Sequence, residues 1–292
     1  MNRFNIIDPS IINCSLIEKE DIESIYKNGG LKSINRDVEF SNDISAISDR
    51  IETRLKKRMS DLSKGIYSVL DSINSKNKIS RDETIWFFTG YGEIETTKRI
   101  IHGLMVEEAT LVSPTDFHNS VHNTPLSYFT IVNQLHNHSI TVSDGNRTGD
   151  TFIKVLENMA ITGDGGIICS GEEGSDFFML DKSANNRKIV SSFCGFRVTV
   201  AEGRGGRFAG DFETLDELLV SDVFKQAETV YCDINFISTI KKSGKEIITE
   251  YAICGESPCS VIYRVVLPFY LNKGGIVIFE SNGMIKVIEV DL

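Results

Sequence analysis

Between Thr84 and Ser170, short apolar runs alternate with stretches whose apolar residues recur at three- and four-residue steps. Thr84–Gly90 reads as a buried strand ending in glycine. Ile94–Val106 reads as a helix with Ile94, Thr97, Ile101, Leu104 and Met105 on one side. Phe117–Leu135 then reads as a turn and a helix, Ser139–Ser143 as a strand, Thr151–Met159 as a helix and Gly166–Ser170 as a strand. Strands separated by helices need crossover connections, so this pattern specifies an α/β chain built on a mixed or parallel sheet. Upstream, Ile51, Leu55, Met59, Leu62, Ile66, Val69, Leu70 and Ile73 form one apolar stripe, which predicts a helix over Ser48–Ile73.

Residues 1–45 are polar and punctuated by Asn28-Gly29-Gly30, and read as an irregular N-terminal arm. Residues 46–292 read as a single domain, with halves of about 46–185 and 186–292. In the second half, Phe196–Val200 and Val230–Phe236 read as strands, and Thr214–Gln226 as a helix with a Thr cap. Ser257–Tyr270 reads as a helix as far as Pro268. Asn282-Gly283 between two β-rich runs is a hairpin turn. The glycine-rich segment Gly203–Gly210 reads as a flexible loop, since it matches neither dinucleotide- nor phosphate-loop spacing. No repeat of 20–50 residues is visible.

Lys and Arg number 31 against 41 Asp and Glu, a formal charge of −10, which excludes a nucleic-acid partner recognised through a basic footprint. The six cysteines are scattered, with no Cys-x-x-Cys pair, and read as buried reduced thiols. No apolar run reaches the ~20 residues of a membrane span, and the N-terminus lacks the apolar core of a signal peptide. The expected compartment is the cytoplasm, with no membrane partner. All five histidines lie between His102 and His138, so any catalytic imidazole comes from that segment. His136-Asn137-His138 lacks further ligands at usable spacing, and no metal site is expected.

The longest distinctive segment is Ser113-Pro114-Thr115-Asp116-Phe117-His118-Asn119-Ser120-Val121-His122-Asn123-Thr124-Pro125. It follows Tyr91-Gly92-Glu93 by about twenty residues, and Arg54–Ser63 upstream is basic. Over about residues 50–172 this arrangement resembles the β-ketoacyl synthase-like proteins, in particular the chain-length factors. Ser113, Pro114, His118, His122, Asn123 and Pro125 are the motif positions that carry the resemblance.

The resemblance implies a thiolase-like αβαβα fold of two similar halves. Because the chain is shorter than a complete ketosynthase, the C-terminal half is where abbreviation is expected. In ketosynthases a nucleophilic cysteine heads a buried helix after a Thr-Val-Ser-like strand. Here Thr141-Val142-Ser143-Asp144-Gly145 leads to Asn146, which has no thiol to ionise. The second half also lacks the histidines that bind the malonyl carboxylate in that family. The implied function is a non-catalytic subunit that pairs with a ketosynthase through Ser139–Ser143. It would wall the acyl tunnel with Phe117, Val121, Tyr128 and Phe129. No cofactor is expected, since acyl chains arrive on the phosphopantetheine of an acyl carrier protein, for which Arg204 and Arg207 are candidate contacts. The competing expectation is a divergent enzyme of the same fold, an acyltransferase or malonyl decarboxylase in which the Asn146 amide stabilises an oxyanion.

Overall fold

A computed structural model describes residues 3–13, 51–106, 112–173, 191–201, 203–249 and 257–292. Its strands are β1 (Arg3–Asn13), β2 (Ile85–Thr89), β3 (Ser139–Ser143), β4 (Gly166–Glu172), β5 (Ser192–Ala201), β6 (Gly205–Phe212), β7 (Thr229–Tyr231), β8 (Glu246–Ile248), β9 (Gly275–Ser281) and β10 (Met284–Asp291). The helices are α1 (Thr53–Lys56), α2 (Asp61–Lys76), α3 (Ile94–Val106), α4 (Pro114–Asn119), α5 (Thr124–Val132), α6 (Thr148–Thr162), α7 (Leu215–Val220), α8 (Asp222–Gln226), α9 (Ile237–Ile240) and α10 (Ser260–Leu271). None is long and apolar enough to cross a membrane.

The strands run in the order β3-β2-β4-β5-β1-β6-β10-β9-β7-β8. Cut between β1 and β6, this becomes two five-strand sets with one connectivity. In each, the first strand pairs antiparallel with the fifth and the fifth antiparallel with the fourth, while the fourth, second and third run parallel. The two sets meet at one bridge, Phe4 to Gly206. The duplication is therefore architectural, and it leaves no sequence period.

Side-chain alternation along the strands separates three cores. Ile85 and Phe87 of β2 and Ile167 and Cys169 of β4 face α2 and α5. Phe88 and Ile168, one residue on, face inward to α6 and α10. In the second set, Tyr231, Val277 and Phe279 share that central core. Val230, Ile276 and Ile278 face the outer helices α7 to α9. Because residues i and i+1 of a strand point to opposite faces, these clusters define five layers, helix–sheet–helix–sheet–helix. This is the thiolase-like αβαβα arrangement. The second half keeps all five strands, although β7 and β8 are only three residues each.

Several expectations need correction. Residues 3–13 are not an arm: β1 lies mid-sheet, between β5 and β6. The boundary between halves falls after β5, near residue 202, and not at 185. Gly203–Gly210 is not a loop, because most of it is β6. There the glycines permit close approach: a Cβ on Gly206 would lie 2.5 Å from Cζ of Phe4. The Ser48–Ile73 stripe is interrupted at Ser60, whose side chain caps α2 by accepting the Ser63 N–H. Thr214–Gln226 breaks likewise at Ser221, which caps α8. Val230–Phe236 is strand only to Tyr231 and then turns into a 3-10 segment. Pro268 lies inside α10 and does not end it. The hairpin stands, with Asn282 and Gly283 both at positive φ (53° and 74°), as the tight turn requires.

Candidate functional site

The C-terminal ends of β2 and β3 and the start of α6 converge at one end of the first half. The Ser143 hydroxyl donates to Gly90 O (3.0 Å), and Gly145 N–H donates to the same carbonyl (3.1 Å). Gly145, at φ 56°, turns the chain into the 3-10 segment Gly145–Arg147. At the head of α6 the buried Thr148 hydroxyl accepts the Asp144 N–H (3.1 Å) and lies 2.8 Å from Gly145 O. Asp144 is fixed in turn by Arg147 (2.9 Å) and Thr151 (3.0 Å). Asn146 sits at the exposed tip, its Oδ1 accepting from the Tyr91 hydroxyl at 2.7 Å. An amide there can exchange hydrogen bonds and cannot attack a thioester.

Behind this turn the structure is closed. Glu172 is fully buried at the end of β4, where it accepts from Gly90 N–H, the Thr89 hydroxyl (3.2 Å) and the Cys259 thiol (3.2 Å). Burial pushes its carboxyl up to about 7. The first turn of α10 fills the space in front: a Cβ on Gly90 would lie 2.5 Å from Pro258, and one on Gly149 would lie 3.1 Å from Val261. Cys169, Cys194, Cys232 and Cys259 are all buried, and none is in a disulfide. Burial first, then neighbouring Cys194 for Cys169 and Glu172 for Cys259, raises these two thiols well above their ordinary value. Neither is poised as a thiolate. Cys14 and Cys254 lie outside the described residues.

The motif residues start two consecutive helices. Ser113 caps α4 and Pro114 follows it in the first turn, while Asn123 precedes α5 and Pro125 lies in its first turn. His118 O accepts from Thr124, and its ring meets Tyr128 edge-on at 5.8 Å between centroids. The His122 ring covers Gly92, where a Cβ would lie 2.7 Å from Cδ2. The reading of the sequence overlooked Asn119. Its Nδ2 donates to Arg58 O (2.8 Å) and its Oδ1 faces the Tyr128 hydroxyl (3.1 Å), tying α4 and α5 to the start of α2.

The four tunnel candidates are distributed differently. Phe117 is 68% exposed and Val121 52% exposed. Tyr128 is half-buried with its hydroxyl 2.8 Å from Arg58 O, and Phe129 is fully buried against Tyr67. Phe117 belongs to a larger apolar surface. Ile101, Leu104 and Met105 are exposed on α3, which packs against α4, as are Ile131 and Val132 on α5 and Ile140 on β3. The helix α3 thus turns apolar side chains outward, and β3 is a sheet edge that among the described residues pairs with β2 alone. Arg204 and Arg207 lie elsewhere, with β6 five strands, or roughly 24 Å, from β3. Arg204 donates to Leu292 O (3.2 Å) and Arg207 pairs with Glu289. Among the described residues no group of three or more His, Cys, Asp or Glu could hold a metal ion.

Residues 36–160 match the β-ketoacyl synthase N-terminal domain. Over that segment the chain is similar to the N-terminal domain of β-ketoacyl synthases, and its fold is the thiolase-like one. Solved structures agree over the whole chain. The ketosynthase ApeO in complex with its chain length factor ApeC, from Xenorhabdus doucetiae, matches with a TM-score of 0.62 at 14% identity, over 98% of this chain and 99% of that one. The ishigamide ketosynthase/chain length factor gives 0.65 at 13%, over 99% and 100%. The AntDE:AntF assembly, a type II acyl-carrier protein in complex with its hexaketide-bound ketosynthase, gives 0.64 at 13%, over 100% of both chains. No curated protein sequence matches. The chain thus shares the fold of these proteins, at identities that carry the fold alone.

Proposed function

We propose that this ketosynthase-like chain is a chain-length-factor-like subunit that pairs with a catalytic ketosynthase in type II polyketide- or fatty-acid-like chain elongation. The observation that carries the reading is Asn146, an exposed amide at the turn where the fold family keeps its nucleophile, with every described thiol buried elsewhere. The partner supplies the nucleophilic cysteine and its bases. This chain supplies the unpaired edge of β3 and the apolar surface of α3 and α4, which a second thiolase-fold subunit would cover. Phe117 and Val121, exposed in the lone chain, would then become wall residues of a shared acyl tunnel, with Tyr128 behind them and Phe129 as backing. Acyl chains would reach the pair on the phosphopantetheine of an acyl carrier protein, Arg204 and Arg207 being the contacts to probe. The setting would be the cytoplasm.

Co-expression with a ketosynthase encoded beside this chain, followed by size-exclusion chromatography, tests the pairing. A stable 1:1 complex is expected, together with self-association or aggregation of the lone chain. A monodisperse lone monomer that ignores the ketosynthase would refute the reading. In the reconstituted pair, Phe117→Ala should lengthen the product, each added methylene gaining about 0.8 kcal/mol by burial in the vacated space.

A further inference from the structure

Two carboxyls converge on the first turn of α2, from elements distant in sequence. Glu93, fully buried at the start of α3, has its Oε1 2.5 Å from the Ser60 hydroxyl and 3.1 Å from the Ser63 hydroxyl, and its Oε2 3.2 Å from that of Thr96. Glu173, just beyond β4 and 7% exposed, accepts the Leu62 N–H at 2.9 Å through Oε1. Its other oxygen, Oε2, is buried with no hydrogen-bond partner among the described residues. An ionised Glu173 would leave that oxygen as bare buried charge in the negative potential of Glu93, with the Leu62 N–H at the helix N-terminus as its hydrogen-bond donor.

We propose that Glu93 and Glu173, both buried against one turn, do not ionise together, and that the proton one of them keeps latches the N-terminal turn of α2 to the start of α3 and the end of β4. Every described charge around the pair fits this assignment. Asp61 at the start of α2 and Glu95 on α3 add negative potential at Glu173. Arg99 is the cation that acts on Glu93, and it is already paired with Asp116 of α4 at 3.1 Å. Tyr128 of α5 faces Glu93 as a neutral phenol. Burial, the largest cause for both groups, pushes Glu93 up to about 7 and Glu173 to about 8. The latch holds the turn that begins just after Arg58, whose carbonyl Asn119 and Tyr128 grip. Deprotonation loosens that turn, and with it the presentation of Arg54, Lys57 and Arg58. This device is independent of the pairing proposed above, since it operates within one chain.

The native state binds more protons than the unfolded chain once pH exceeds the ordinary carboxyl value near 4.5. Stability is therefore complete below that value, falls as pH rises, and levels off above about 8. The test is amide exchange over residues 60–66 of the whole chain, as protection factors from pH 5 to 9. The opening constant should rise by up to about tenfold per pH unit for each proton lost. Glu173→Gln keeps an acceptor for Leu62 N–H and offers Glu93 a permanent donor, so its profile should be flatter. An unchanged slope in Glu173→Gln overturns the proposal. Side-chain carboxyl 13C shifts of the unaltered chain decide the matter even if that variant does not fold. With the resonances assigned so that the buried Glu172 is set apart, Glu93 or Glu173 still titrating above pH 6 is expected, and titration of both below about pH 5.5 would overturn the latch.

Discussion

Phe117 and Phe129 stand twelve positions apart in the segment that carries the family motif, yet the structure assigns them opposite physical duties. Phe129 is completely enclosed, its ring 5.6 Å from that of Tyr67 in the core between α2 and α5. Truncation to alanine removes that contact and leaves a void the surrounding Leu, Ile and Val side chains cannot fill. The loss should be about 3–5 kcal/mol, or a fall of about 6–20 °C in Tm at about 2–4 °C per kcal/mol. Phe117 is 68% exposed, so Phe117→Ala should move the stability of the lone chain by no more than about 0.5 kcal/mol. If its ring is an anchor in the ketosynthase interface, removal costs the complex about 2 kcal/mol, which is about 30-fold in Kd. Urea unfolding of the lone chain and calorimetric titration with the ketosynthase separate the two quantities. The argument fails if Phe117→Ala destabilises the lone chain as Phe129→Ala does. It fails equally if the complex binds Phe117→Ala with unchanged affinity.

Three further outcomes are expected. Incubated alone with a malonyl or acyl thioester, the chain should show no stable adduct by intact mass, because its described thiols are buried and protonated; an acylated residue would contradict the non-catalytic reading. Gly206→Ala should cost at least about 1–3 kcal/mol by urea unfolding. The reason is that the new methyl meets a Phe4 ring already enclosed between Phe208 and Phe269. Arg264→Met should cost about 3–5 kcal/mol. Its guanidinium, 2% exposed, bonds Asp233 (2.9 Å) and Ile278 O (3.0 Å), and both would lose a buried partner; Asp233→Asn should be milder in the same assay, because a neutral amide still accepts.

How much of this was legible in the residues depends on local chemistry. The bounds of α3 and β3 follow from periodicity: neither holds a proline, and the single Gly103 does not end α3. In β1 the Asp8-Pro9 pair breaks alternation, and the register shifts there between Ile7 and Ser10, with Asp8 at φ 54°. A strand so interrupted reads as irregular chain. In β6, glycine stands where side chains would collide with Phe4 of β1, so composition suggested a loop where the strands pack tightly. The turn bearing Asn146 was legible from the Thr-Val-Ser strand before it. The partners of Glu93 and Glu173 were not, since Ser60, Leu62 and Glu173 come together only through tertiary packing. Nor does any sequence signal reveal that Arg207 meets Glu289, a contact set by the register of β6 on β10.

The position of β1 bears on how the chain is made. Arg3 pairs with Ala201 and Asn13 with Ser192, so β1 has its principal partner nearly two hundred residues downstream. At about 5–20 residues per second on the ribosome, the interval before β5 emerges is about 10–40 s. Late in that interval β2, β3 and β4 can associate through their crossover helices, while Phe4 and Ile6 still wait without a sheet. Closure of the first half is therefore late and long-range, and it places β1 as the edge on which β6 and then the β9–β10 hairpin can assemble. Slow synthesis or an early pause would prolong the exposure of an eleven-residue strand with two unpaired edges, the state in which such a nascent chain is most open to chaperones or to pairing with the wrong strand.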